Sequence, residues 1–313
     1  MAEHHTLQAN PETVAWGYWD ATRAPVLRIN SGDRVTLHSI SGGPEDLPAD
    51  HSIVAPEQFE IHAQCERGPG PHFLTGPIWV NDAEPGDTLE VRILDVQLRD
   101  EWGWNLIEPL LGTLPEDFPN RRHLVLPIDR TARRATLPWG IDIPLDPFFG
   151  NFGVAPPPNY GRITSTIPRE HGGNLDNKNL VSGTTTYLPV WNDGALFSAG
   201  DGHAVQGHGE VCLTAIETGM IGTFELIVRK DLKLKFPRAE SPTHLISMGL
   251  NEDLDDAAKQ ALREMINWIT ELTNLSREDA YTLCSLAGDL HVTQLVDVNK
   301  GVHCVLPKAL LPA

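Results

Sequence analysis

Positive charge is scarce in this chain: its 313 residues carry 24 Lys and Arg against 42 Asp and Glu, a formal net charge of −18. A field of that sign repels phosphate backbones and anionic lipid, so neither nucleic acid nor a membrane surface is expected as a partner. A neutral small molecule meets no such penalty. Cysteine is also sparse. Cys65, Cys212, Cys284 and Cys304 are scattered with no C-x-x-C pair, which argues against a disulfide framework or a zinc ribbon and fits reduced thiols in the cytoplasm. No run approaches the roughly 18 apolar residues of a membrane helix, and the opening residues show no basic-then-apolar leader pattern. A P-loop, a dinucleotide fingerprint after a strand and a G-x-S-x-G elbow are all missing. No Pro/Ser-rich linker divides the chain, so residues 1–313 are expected to form one intertwined unit: β-rich over 1–235, helical over 251–287, with terminal strands over 288–313.

The first half carries strand signals. Val26–Ile29 and Arg34–Ile40 flank the turn-forming Asn30-Ser-Gly-Asp33, and Gly76–Val80 and Thr88–Val96 flank Glu84-Pro-Gly-Asp87. Each reads as a hairpin. A third hairpin is expected from Gly209–Thr218 and Gly222–Lys230 around Gly219-Met-Ile-Gly222. Strands are also expected at 123–126, 134–137 and 290–297. Residues 41–75 and 100–122 read as long excursions of the kind that carry binding sites. Prolines exclude helix between 144 and 158. Helical spacing emerges late, from Leu254 to Leu272 behind Asn251 as N-cap, and again through Leu286 behind the capping pattern Ser276-Arg-Glu-Asp279. The fold class expected is a β-rich α+β protein, sandwich-like or barrel-like, with a small late helical layer.

The chemistry concentrates between Pro168 and Glu217. Gly200-Asp-Gly-His-Ala-Val-Gln-Gly-His-Gly-Glu210 sets metal-competent side chains between glycines. Residues two apart on a strand share a face, so Asp201 with His203, and His208 with Glu210, could each aim at one point. Imidazole with carboxylate suits zinc and the activation of water; the hard carboxylates leave calcium or a second metal open. The competing reading is a glycine-rich turn whose polar residues cap strands. His171-Gly-Gly-Asn-Leu-Asp-Asn-Lys178 offers backbone N–H groups and Lys178 for an oxyanion, and Asp176 as a ligand or as a group orienting a histidine. Alternatively it is an Asx-type turn with Lys178 solvated. His72, in Gly70-Pro-His-Phe-Leu-Thr-Gly-Pro77, is a candidate ligand or acid/base, or a loop hydrogen-bond partner. Cys212, Glu210 and Lys178 are also the residue types of thiol-based amide hydrolysis, although a thiol in the strand pattern around Cys212 suits a buried role. Trp102 and Trp104 are candidates for a pocket wall or for the core.

These runs resemble the acetamidase/formamidase family of amide hydrolases. Gly70–Ile78, Glu84–Asp87, Phe148–Pro156 and Asp279–Asp289 extend the resemblance, in the family's order, over nearly the whole chain. It implies a β-rich fold, frequent homo-oligomers, and hydrolysis of a linear carboxamide of formamide or acetamide type. It implies that Asp201, His203 and Glu210 match the family's metal-binding and catalytic run, that Asn174, Asp176 and Lys178 lie at the active site, and that His72 belongs near them. His208 stands where the family usually has Asp. A γ-lactam opened in the same site is the nearest alternative. A non-catalytic metal- or ligand-binding scaffold, with His208 marking a decayed site, is a rival of another class.

Overall fold

Residues 2–312 are described in a computed structural model. Among them, strands form a nine-stranded sheet, an eleven-stranded sheet and a two-stranded pair. The nine-stranded sheet runs from His4–Leu7 at one edge to Asp289–Gln294 at the other, with Met220–Arg229 and Thr88–Leu98 paired near its centre. The eleven-stranded sheet is built around Phe197–Val205, which pairs with Phe73–Val80, Phe148–Gly153 and Ile216–Glu217. The inner faces meet in one apolar core. Phe224 of the first sheet lies edge-on to Phe149 and Phe197 of the second, each with ring centroids 5.4 Å apart. The result is the β-rich α+β fold that the sequence predicts, with its two large sheets packed face to face.

All three predicted hairpins are absent. Leu27–Ile29 pairs in parallel with Phe73–Val80, whereas Arg34–His38 pairs with His4–Leu7 and Met220–Arg229 in the other sheet. Phe73–Val80 and Thr88–Leu98 likewise lie in different sheets, as do Ile216–Glu217 and Met220–Arg229. The turns themselves form as their chemistry predicts. Asp33 Oδ2 accepts from Asn30 N at 2.8 Å, and Asp87 Oδ2 accepts from Glu84 N at 3.0 Å. They serve as corners that carry the chain from one sheet to the other. Phe148–Gly153, within the proline-rich stretch, is a fully buried strand.

Helix α1 (Pro56–Gln64) lies within the first excursion, where the sequence reading places no helix. Its Gln58 Nε2 donates to the carbonyls of Ser41 and Gly42, at 2.6 and 3.0 Å, and so holds residues 41–43 in place. Helices α2 (Leu254–Leu272) and α3 (Arg277–Ala287) form the late layer. The N-cap of α2 is Asp253 rather than Asn251, its side chain accepting from Asp256 N; Ser276 caps α3 through Asp279 N. The apolar stripe Ala257, Ala261, Met265 and Ile269 packs on Leu245, Val302 and Leu306 of the nine-stranded sheet. Gly249 permits this approach, because a Cβ there would lie 1.9 Å from the Ala257 carbonyl oxygen. No helix of the described residues is long and apolar enough to cross a membrane.

Candidate active site

One face of the eleven-stranded sheet carries a row of directly opposed residues: Phe148, His203, Glu217, Trp104 and Val125. Opposed residues in antiparallel strands present side chains on the same side. At the polar end of the row, the Nε2 of His203 lies 3.3 Å from Asp201 Oδ2, 3.2 Å from Glu217 Oε1, 3.8 Å from Asp176 Oδ1 and 4.0 Å from Glu210 Oε1. The Nε2 of His72 approaches Asp201 Oδ2 at 3.8 Å from the cleft side. All five of the clustered residues apart from His72 are buried, and so is Asp297 nearby.

Hydrogen bonds fix the chemistry of each donor. Gln206 Nε2 donates to the Asp176 carbonyl at 2.7 Å, which turns Gln206 Oε1 toward His203 Nδ1 at 2.8 Å. The proton of neutral His203 therefore sits on Nδ1, and its Nε2 lone pair faces the carboxylates. Asn174 Nδ2 donates to both Asp176 Oδ2 at 2.7 Å and Asp297 Oδ2 at 2.9 Å, while its Oδ1 accepts from Asn151 at 3.0 Å. Asn174 is thereby committed to positioning two carboxylates, not held open for a substrate oxygen. Ser165 Oγ accepts from the His72 backbone N–H at 3.4 Å and lies 2.9 Å from His72 Nδ1. Its hydroxyl proton is free for Nδ1, which leaves His72 Nε2–H as a donor at the cleft wall.

The electrostatics call for a cation. Burial, then the neighbouring carboxylates, pushes Asp176 and Glu210 well above their usual range and raises Glu217 to about 7. Burial raises Asp297 to about 6. Burial alone would disfavour charge on Asp201 and His203. Instead His72 and His203 hold Asp201 low, and Glu217 and Asp201 raise His203 well above an ordinary imidazole. Asp176 Oδ1 and Glu217 Oε2 have no hydrogen-bond partner although both are buried. Gly150 faces the same point: a Cβ there would lie 2.5 Å from Asp176 Oδ1, 2.6 Å from His203 Cε1 and 2.8 Å from Asp201 Oδ2. Unpartnered oxygens, an imidazole nitrogen aimed into the carboxylates and a wall with no side chain fit a divalent metal, which would take the place of the proton those carboxylates hold on His203. Two overlapping trios, Asp176–His203–Glu210 and Asp201–His203–Glu217, have ligand atoms close enough to hold one.

The cluster forms the base of a cleft of about 530 Å³ whose walls include His72, Phe73, Trp104, Leu106, Leu213 and Thr214. Arg121 spans its rim, reaching Glu108 at 3.0 Å and Asp46 at 3.1 Å.

The structure brings together His72, Asn174, Asp176, Asp201, His203 and Glu210 of the residues singled out in the sequence. It does not bring in His208 or Lys178. Residues 206–210 turn instead of extending, with φ of 98° at Gly209 and 46° at Glu210, so strand alternation does not hold and His208 points away from Glu210. His208 stacks on His291 at 4.7 Å and lies 5.1 Å from His303; burial, then Lys178, lowers it to about 4. Lys178 belongs to that surface and lines no part of the cleft. A decayed site marked by His208 loses its basis. Cys212 lies in a loop, half-buried, with its Sγ 3.3 Å from Asn105 Nδ2 and off the cleft wall. Glu217, Asp297 and Gln206 are participants that the motifs do not single out. Only Glu217 has a legible signal, as an acid at the strand edge beside the glycine-rich run.

Residues 67–165 and 161–312 match the model of the Acetamidase/Formamidase family. The chain belongs to this family. A crystal structure of acetamidase from Bacillus halodurans is 32% identical and superposes with a TM-score of 0.83, covering 96% of this chain and 97% of that one. A predicted acetamidase/formamidase from Thermoanaerobacter tengcongensis is 26% identical with a TM-score of 0.87, covering 99% and 98%. The formamidase of Methylophilus methylotrophus is 30% identical over 60% of this chain and 61% of its own length. The chain spans between 51% and 61% of the length of the curated relatives it matches.

Proposed function

We propose that this protein hydrolyses the C–N bond of a neutral carboxamide, adding water to give carboxylate and ammonia. The carrying observation is the buried cluster of four carboxyl groups around Nε2 of His203, open to a cleft with His72 on its wall. A divalent cation held by Asp201, His203 and Glu217, zinc on account of the imidazole, would polarise the carbonyl and bring a water's pKa to about 7.

The chain's own groups supply the remaining roles. Glu210, buried at the cleft with its Oε1 4.0 Å from His203 Nε2, would act in its carboxylate form, accepting the water's proton and returning it to the departing nitrogen. His72 Nε2–H takes the place expected of Lys178 as donor to the amide oxygen, with Ser165 keeping its ring in that tautomer. Asn174 and Gln206 position Asp176, Asp297 and His203, and neither touches the reacting atoms. We place the enzyme in the cytoplasm, where four unpaired cysteines fit a reducing compartment. We also take it to be a homo-oligomer. Leu110, Leu111, Leu114, Phe118 and Val211 form exposed apolar surface on adjoining loops joined by Thr113 N–H to the Val211 carbonyl.

Ammonia release from linear carboxamides, measured with purified, chelated and zinc-restored enzyme, tests the reading. Metal-dependent release is expected. Release that survives complete metal removal would refute the metal mechanism. Ring opening of γ-lactams with no ammonia from any linear amide would move the activity to lactams.

A further inference from the structure

The cleft is far larger than formamide or acetamide requires. About 530 Å³ falls within the range of cavities that enclose drug-sized ligands. Its chemistry is divided. The carboxylates and histidines occupy the base, whereas Trp104, Leu106, Leu213, Phe73 and Ile40 line the walls.

The register fixes the relation between the two parts. Trp104 is directly opposed to Glu217, so their side chains leave the sheet together, with Cβ atoms about 5 Å apart. Leu106, two residues further along the same strand, continues the apolar surface by roughly 7 Å. The indole is held in place by Nε1–H donation to Ser41 Oγ at 3.1 Å. Ser41 belongs to the segment braced by Gln58 of α1. The two arginines at the rim face three carboxylates, Arg67 with Glu45 and Arg121 with Asp46 and Glu108, so the rim carries no net positive charge to attract a substrate carboxylate.

We infer that the preferred substrates are primary amides with a medium-length aliphatic or aryl-substituted acyl group, whose apolar part lies along Trp104 and Leu106 while the carboxamide sits at the carboxylate cluster. This inference rests on the amide-hydrolase reading and adds the acyl-chain specificity.

The test is ammonia release by the metal-loaded enzyme across acetamide, butanamide, hexanamide, octanamide and phenylacetamide. The expected kcat/KM rises about fourfold per methylene, the factor that burial of one CH2 supplies, until the apolar wall is covered. Leu106→Gln should lower the octanamide-to-acetamide ratio of kcat/KM by about tenfold, and taking the ratio within one variant cancels any general loss of active protein. A flat series, or acetamide as the best substrate, would overturn the inference while leaving the amidase reading intact. If no amide releases ammonia, the amidase reading fails. Calorimetric binding of the same amides then decides the wall's role: affinity rising with chain length supports it, and affinity indifferent to chain length overturns it.

Discussion

Gln206 and His203 are joined by a hydrogen bond of 2.8 Å that selects the imidazole tautomer. Because the other end of the Gln206 amide is fixed on the Asp176 carbonyl, the two residues define one orientation of the metal-competent lone pair. Replacing Gln206 by Leu should weaken zinc binding by about 10–100-fold, the usual loss when a histidine ligand's outer partner is removed. Gln206→Glu keeps an acceptor for Nδ1 and should recover part of the affinity. Competition titration against a metal-sensitive dye measures both.

Metal uptake should release protons near neutral pH. Glu217 is raised to about 7 by burial and its neighbours, and Asp297 to about 6 by burial. Below about 7 the metal-free Glu217 holds a proton that a cation must displace, so apparent affinity should rise as pH climbs from 6 to 7. Calorimetry in two buffers of different ionisation enthalpy reads the proton count. A heat that is the same in both buffers at pH 6.5 would contradict the expectation.

His171 should make the fold acid-sensitive. It is fully buried, neither ring nitrogen meets a protein partner, and burial lowers it to about 3. The unfolded chain takes up this proton below pH 6.5, whereas the folded chain resists it until about 3. Its contribution is therefore intact above 6.5 and is lost as pH falls through that window, at up to about 1.4 kcal/mol per pH unit. His171→Leu should flatten the dependence of unfolding free energy on pH between 6 and 4, measured by urea denaturation. An unchanged slope would show that His171 takes up no extra proton on unfolding.

Lys178→Ala should leave kcat/KM within about twofold of the parent, as for a surface change away from the chemistry. A hundredfold loss in steady-state ammonia release would return Lys178 to the oxyanion role that its motif suggests.

Much of the fold was legible because its signals are local. The α2 stripe and the Ser276 cap report the helices, and strand alternation reports the sheets. Strand partners were not legible. The turns at Asp33 and Asp87 have hairpin chemistry, but the choice between turning back and crossing to the other sheet depends on pairing with strands as far as 191 positions away in sequence. Helix α1 is short and mostly polar, and its one clear mark is Pro56 at the first helical position. In the site, Asp201 and His203 were readable because they share the strand Phe197–Val205, although Asp201 itself takes a left-handed φ of 57°. Strand alternation failed at His208 because Gly209 and Glu210 turn the backbone. Asp297 carries no motif and joins the cluster only through tertiary structure.

The bond from Asn174 to Asp297 spans 123 residues. Asp176 and Asp297 therefore share a hydrogen-bond donor only after the segment following α3 has docked beside the glycine-rich loop. During synthesis, a chain that has emerged only through residue 250 holds His72, His203, Glu210 and Glu217 but not this contact. On the proposed metal reading, full cation affinity should thus be a property of the finished fold, acquired only when the last segment of the chain has docked.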